Sequence, residues 1–261
     1  MTYNVYQIDA FTDQTFSGNP AAVVPLDTWL PDEVLQNIAM ENNLSETAFF
    51  VPEERQYYIR WFTPDVEVNL CGHATLASSH VLFKHLGYAE KEIWFRSRSG
   101  NLTVQLKNEQ YVLNFPADKP VKQSYSEMFS SCFDRVPDAV LKGSADYLFV
   151  FNDEQFIRDV RPNLDAIRRL NAEGVIITSR GSSNVDFVSR FFAPQLGIPE
   201  DPVTGSAHTV LIPYWSENLK KDEFLAHQVS KRGGVLKCKY LEDRCEIGGN
   251  AVTFLEGTIR L

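Results

Sequence analysis

The 261-residue sequence predicts a mixed α/β protein, α+β in character, built from two similar halves. Three observations predict it. The chain echoes itself: Arg60-Trp61-Phe62-Thr63-Pro64 reads like Arg190-Phe191-Phe192-Ala193-Pro194, 130 positions later and close to half the chain away. Each copy then continues into a glycine-led segment, Cys71-Gly72-His73-Ala74-Thr75-Leu76 in the first and Thr204-Gly205-Ser206-Ala207-His208-Thr209 in the second. Finally, stretches with a strand period outnumber helical ones and several are spaced like hairpins, which argues against a doubly wound parallel sheet. Two copies do not make a solenoid; they suggest halves facing each other about a pseudo-two-fold axis.

The elements follow in order. A strand is predicted over residues 5–10. Residues 32–42 read as a helix: Pro31 suits its first turn, and Val34, Leu35, Ile38 and Ala39 form an apolar stripe. Strands follow at 46–51 and 57–62, where Tyr57, Ile59 and Trp61 alternate with Tyr58, Arg60 and Phe62. A helix is expected over 72–86, then strands at 93–96, 102–106 and 111–115. The polar stretch 118–126, with Pro120, marks the division into residues 1–117 and 118–261, the last few residues being free to return to the first half. In the second half strands are expected at 147–151, 175–178, 185–192, 224–229, 236–240 and 252–255. Helices are expected at 164–170 and 205–219, with Pro213 kinking the latter.

The totals narrow the function. A net charge of −9 without a basic stripe argues against nucleic acid and against anionic membranes. Cys71, Cys132, Cys238 and Cys245 show no CxxC spacing and are too few for a disulfide scaffold. No signal peptide and no twenty-residue apolar span is apparent, so a cytoplasmic location is the default expectation.

Chemistry can gather where Gly72 and Gly205 open their helices. A helix N-terminus carries unpaired N–H groups and partial positive charge, suited to a carboxylate or oxyanion. Cys71 precedes the first helix, and Thr204 takes the corresponding place in the second. Facing cysteines there would suggest a two-base racemase; threonine breaks that pair. His73 lies in the first helical turn, where the dipole favours a neutral imidazole. His80 lies two turns along, about 10 Å away, so the two cannot share an ion. With no HExxH and no ligand spacing among His85, His208 and His227, the sequence predicts no metal. Glu46, at the start of an apolar strand, is desolvated if it faces inward and is then suited to acid–base work. Asp201 reads as a loop or capping carboxylate. Ser206 lacks a GxSxG setting, which disfavours a hydrolase.

The combination of Asp9-Ala10-Phe11-Thr12, Gly18-Asn19-Pro20-Ala21, Ser45-Glu46-Thr47-Ala48-Phe49, Cys71-Gly72-His73-Ala74-Thr75 and Glu200-Asp201-Pro202-Val203-Thr204-Gly205-Ser206-Ala207-His208 resembles the phenazine-biosynthesis PhzF-like isomerases. The resemblance runs on through Gln228, Gly233-Gly234 and Gly248-Gly249-Asn250-Ala251-Val252, nearly end to end. It implies a diaminopimelate epimerase-like fold in which each half wraps a curved, mostly antiparallel sheet around a central helix, with the site between the halves. It also implies a homodimer, no cofactor and a small anionic metabolite as substrate. By the resemblance, Glu46 is the acid/base that shuttles a proton between carbons of a dihydro-hydroxyanthranilate. His73, Asp201 and Ser206 hold polar groups of the substrate and assist, and Gly72, Ala74, Cys71, Thr204 and Gly205 line the substrate site. Thr204 departs from the epimerase branch, which has a second cysteine there. Two rival functions stand beside the isomerase: an amino-acid racemase or epimerase on this fold, and a non-catalytic small-acid binder. Both enzymes wash solvent deuterium into substrate carbon, only the racemase scrambles a stereocentre, and the binder does neither.

Overall fold

Residues Met1–Asn114 and Gly248–Leu261 form one unit of the computed structural model, which describes the whole chain, and Phe115–Ile247 form the other. Each is a mixed α/β unit in which strands far outnumber helices.

The first unit contains β1 (Thr2–Ala10), β2 (Asn19–Pro25), α1 (Asp32–Asn42), β3 (Glu46–Glu53), β4 (Gln56–Phe62), β5 (Glu67–Val68), α2 (Gly72–Lys84), β6 (Glu92–Ser97), β7 (Gly100–Lys107) and β8 (Gln110–Pro116). The C-terminal strand, Ala251–Arg260, returns to it and pairs antiparallel with the whole of β1. The pairing then runs β1 to β2 antiparallel, β2 to β3 parallel, β3 to β4 antiparallel, β4 to β6 parallel, and β6 to β7 to β8 antiparallel. Helix α2 packs on β1, β2, β3 and the C-terminal strand. Every residue from Gly72 to Leu82 is buried, and a helix buried all round must be apolar or satisfy its own polar groups. It does the latter: Thr75, Ser78 and Ser79 return their hydroxyls to the carbonyls of Cys71, Ala74 and Thr75. The small residues of Ala74-Thr75-Leu76-Ala77-Ser78-Ser79 allow the strands to approach closely.

The second unit contains β9 (Val121–Lys122), α3 (Glu127–Ser130), β10 (Ala139–Lys142), β11 (Tyr147–Val150), α4 (Glu154–Asp159), α5 (Leu164–Arg168), β12 (Val175–Arg180), β13 (Phe187–Ala193), β14 (Ile198–Asp201), α6 (Gly205–Leu219), β15 (Glu223–Gln228), β16 (Gly234–Tyr240) and β17 (Arg244–Gly249), the last ending in the first unit's portion of the chain. Here β11 to β12 is parallel, β12 to β13 antiparallel, β13 to β15 parallel and β15 to β16 antiparallel, with β14 folded back on β13. The sense of each pairing repeats that of β2, β3, β4, β6 and β7, and α6 falls between β14 and β15 as α2 falls between β5 and β6.

The echoed arginines explain why the motif is repeated. Arg60 on β4 grips Glu67 of β5 with Nε and Nη2 at 2.8 and 2.7 Å and stacks over Phe62 at 5.0 Å. Arg190 on β13 grips Glu200 of β14 at 2.7 and 3.0 Å and stacks over Phe192, also at 5.0 Å. In each unit a bidentate pair ties the loop that leads into the glycine-started helix to the strand before it.

One detail differs from the sequence reading: Pro31 sits at the N-cap of α1 rather than in its first turn. The chain divides at Asn114/Phe115, and Gly248–Leu261 group with the first unit. Pro213 lies inside α6, which continues to Leu219. Proline cannot donate to the Thr209 carbonyl, and the Asp118 N–H takes that acceptor at 3.1 Å.

Candidate active site

Two clusters, one in each unit, hold the residues singled out by sequence. In the first, Glu46 opens β3, paired with Ala21 of β2. It is 8% exposed, and Cys71 and His73, at the start of α2, are 6% and 4% exposed. His73 Nε2 stands 3.1 Å from Glu46 Oε2, ion-pair distance, although the carboxylate oxygen lacks an aligned hydrogen-bond donor. On the other side of the ring, Nδ1 meets Asn19 Nδ2 at 3.1 Å and Cys71 Sγ at 3.5 Å. With a neutral ring, Asn19 donates to Nδ1 and Nε2 carries the proton toward Glu46.

Burial, and then the Glu46 carboxylate, push the Cys71 thiol up to about 11. Burial alone would pull His73 down, but the facing Cys71 and Glu46 outweigh it and hold its pKa well above the usual histidine value. Because the thiol keeps its proton at neutral pH, Glu46 is the partner that acts on the ring there. A carboxylate at 3.1 Å works against the helix dipole, which alone favours a neutral imidazole. Glu46, Cys71 and His73 bring ligand atoms within 4.8 Å of one another.

In the second unit, Thr204 donates its hydroxyl to Asp201 Oδ2 at 2.5 Å. Gln228, on β15, accepts from the Thr204 N–H through Oε1 at 2.8 Å, and its Nε2 donates to the Asp201 carbonyl at 2.8 Å and to Thr204 Oγ1 at 3.1 Å. Asp201, Thr204 and Gln228 are all buried. His208 Nδ1 donates to the Thr204 carbonyl at 2.8 Å, and burial lowers its pKa to about 4, so this ring is neutral. Ser206 is exposed, and its hydroxyl has no part in this network.

Threonine at an N-cap ordinarily accepts from the first turn. Thr204 instead spends its hydroxyl on Asp201, and neither it nor Cys71 caps its helix. The first turns of α2 and α6 therefore carry no oxygen cap from their N-cap side chains, the condition under which a helix start receives an anion. Sequence reasoning missed Asn19 and the positioning role of Gln228. It also missed Thr253, on which His80 Nε2 and His85 Nε2 converge at 2.9 and 2.8 Å. Only the strand register brings these residues to the helix.

A buried acid–imidazole pair at a helix start, on a mixed α/β architecture, is an arrangement suited to acid–base chemistry. A hydroxyproline epimerase from Agrobacterium vitis shares the fold at a TM-score of 0.63 and 9% identity, covering 99% of this chain and 92% of that one. The chain matches the phenazine biosynthesis-like protein family over residues 8–257 and belongs to that family. It is 48% identical to an uncharacterized isomerase of Pseudomonas aeruginosa and 46% identical to one of Halalkalibacterium halodurans, each over the full length of both proteins. The crystal structure of a PhzF-family protein from Enterococcus faecalis superposes with a TM-score of 0.97 at 47% identity, covering both chains completely. The protein is an isomerase of this family. No helix is long and apolar enough to cross a membrane.

Proposed function

We propose that the protein moves a proton between carbons of a small carboxylate-bearing substrate, with Glu46 as the general acid/base and no cofactor. The observation that carries this reading is the burial of Glu46 with Oε2 at 3.1 Å from His73 Nε2, at the uncapped start of α2. The one proton shared by Glu46 and His73 passes through Glu46 to one carbon; the resulting carboxylate takes a proton from another, so the enzyme returns to its starting state. His73 stands beside that carboxylate throughout. The N–H groups at Gly72 and Ala74 bind the substrate carboxylate, with Cys71 alongside. The second unit's helix start, with Asp201, Thr204, Gly205 and Ser206, is by itself suited to polar groups of a small acid. The working form is taken to be a cytoplasmic homodimer acting on a small anionic metabolite.

The test is incubation in D2O with a dihydro-hydroxyanthranilate and a panel of small cyclic and amino carboxylates, read by mass spectrometry and NMR. Wild type should place deuterium on substrate carbon and move a double bond. Glu46→Gln should lower the rate by about 10²–10⁴-fold, the usual contribution of general acid–base catalysis, and still bind by calorimetry. Near-normal exchange in Glu46→Gln would place the base elsewhere, and scrambling of a stereocentre without bond migration would make the enzyme a racemase.

A further inference from the structure

The geometry points to a transition-metal site in the first unit: we propose that Glu46 Oε2, Cys71 Sγ and His73 Nε2 bind Zn²⁺ or a similar borderline divalent ion. Their ligand atoms already lie within 4.8 Å of one another, and all three residues are buried. Zinc sits about 2.3 Å from sulfur and about 2.0–2.2 Å from nitrogen or oxygen, which places tetrahedral donors about 3.3–3.7 Å apart. Here Nε2 and Oε2 are 3.1 Å apart, and Sγ and Nε2 are 4.0 Å apart. Sγ also lies 3.5 Å from Nδ1, so the Cys71 side chain must swing from the Nδ1 side toward Nε2 to close the triangle to the required size. Glu46 Oε2 is desolvated and has no hydrogen-bond donor in line, so the ion displaces none from it.

The chemistry of the donors selects the ion. Thiolate and imidazole favour zinc and its neighbours over Mg²⁺ or Ca²⁺, which take oxygen ligands. Three protein donors and one open position match the ligand count of exchangeable zinc sites. Asn19 supplies the outer shell, with its side-chain amide 3.1 Å from His73 Nδ1. Turned so that its oxygen faces the ring, that amide accepts the Nδ1 proton and leaves the Nε2 lone pair for the metal.

The ion would occupy the carboxylate that the proposed reaction needs, making it an inhibitor. That consequence rests on the proposed function; binding itself does not. The experiment therefore uses metal alone, on the full chain, with Co²⁺ as the spectroscopic probe and Zn²⁺ as competitor at pH 7. One equivalent of Co²⁺ should give a near-ultraviolet thiolate-to-cobalt band with the visible bands of a four-coordinate ion, and one equivalent of Zn²⁺ should bleach both. Cys71→Ser should lose the near-ultraviolet band, and Asn19→Ala should weaken binding by about 10–100-fold, as removal of an outer-shell partner does. His73→Gln provides the loss-of-ligand test should Cys71→Ser fail to fold. Absence of the thiolate band in wild type overturns the proposal. So does its survival in Cys71→Ser, which would place the ion on Cys132, Cys238 or Cys245, so does unweakened binding in His73→Gln, which would remove the imidazole from the ligand set, and so does bleaching by Mg²⁺.

Discussion

Replacing Asp146 with asparagine should stabilise the second unit at pH 8 and leave it nearly unchanged at pH 4. Asp146 lies between β10 and β11, 7% exposed, and its Oδ1 has no hydrogen-bond partner. Burial first, then the nearby Glu173 and Asp118 carboxylates, raise its pKa from 3.8 to about 7; the Gly174 backbone N–H alone works the other way. The native state thus holds a proton that the unfolded chain has released. This contribution is fully present below about pH 4 and is lost as pH rises through about 7. At 1.36 kcal/mol per pH unit, the gap amounts to at most about 4 kcal/mol, less where water reaches the carboxylate. Asparagine keeps the shape and never ionises. Urea denaturation of wild type and variant at pH 4, 6 and 8 reads the difference directly. The variant's advantage should grow from near zero to a few kcal/mol across that range. An advantage independent of pH, or a variant less stable at pH 8, would refute the reasoning.

Three further outcomes are expected. Cys71, with its thiol pushed up to about 11, should react with iodoacetamide at pH 7 far more slowly than a free thiol, as followed by peptide mass spectrometry. Arg60→Met should lower stability by up to about 3 kcal/mol in denaturant titrations, because it takes the bidentate partner from the half-buried Glu67 carboxylate; a loss under 1 kcal/mol would show that Arg98, 2.8 Å from Glu67, suffices. Gly18→Ala should cost about 2 kcal/mol or more and lower Tm, since Gly18 has φ +67° and an added Cβ would stand 2.2 Å from the Ala10 carbonyl oxygen.

What the sequence made legible was local. The glycine starts of α2 and α6 and the alternation of β4 were readable because each is written within a few residues. Strand β2 was missed because Asn19-Pro20-Ala21-Ala22-Val23-Val24-Pro25 carries proline at both ends, a pattern that argues against a strand. Its first residue, Asn19, was missed as the neighbour of His73 for the same reason. The charge state expected of His73 was read from its helix position alone, whereas Glu46 reaches it only through the parallel pairing of β2 with β3. The approach of Glu46 to Cys71 and His73 is invisible to spacing rules, which register groups along one segment, whereas these come from two. Ser206 shows the opposite limit: its motif carries the family signature, but its side chain is exposed and outside the hydrogen-bonded group around Asp201.

The return of the C-terminal strand to β1 sets the order in which the protein can be made. The second unit is one continuous stretch, Phe115–Ile247, and has all its strands once synthesis passes β17. The first unit begins at Met1, but β1, already paired with β2, lacks its second partner until residues 251–260 have left the ribosome. During translation β1 therefore waits with one edge open while more than two hundred later residues emerge, and the half encoded first is completed last. A premature stop near the 3′ end of the gene would strip that edge permanently, leaving an aggregation-prone strand although Glu46, Cys71 and His73 were all present.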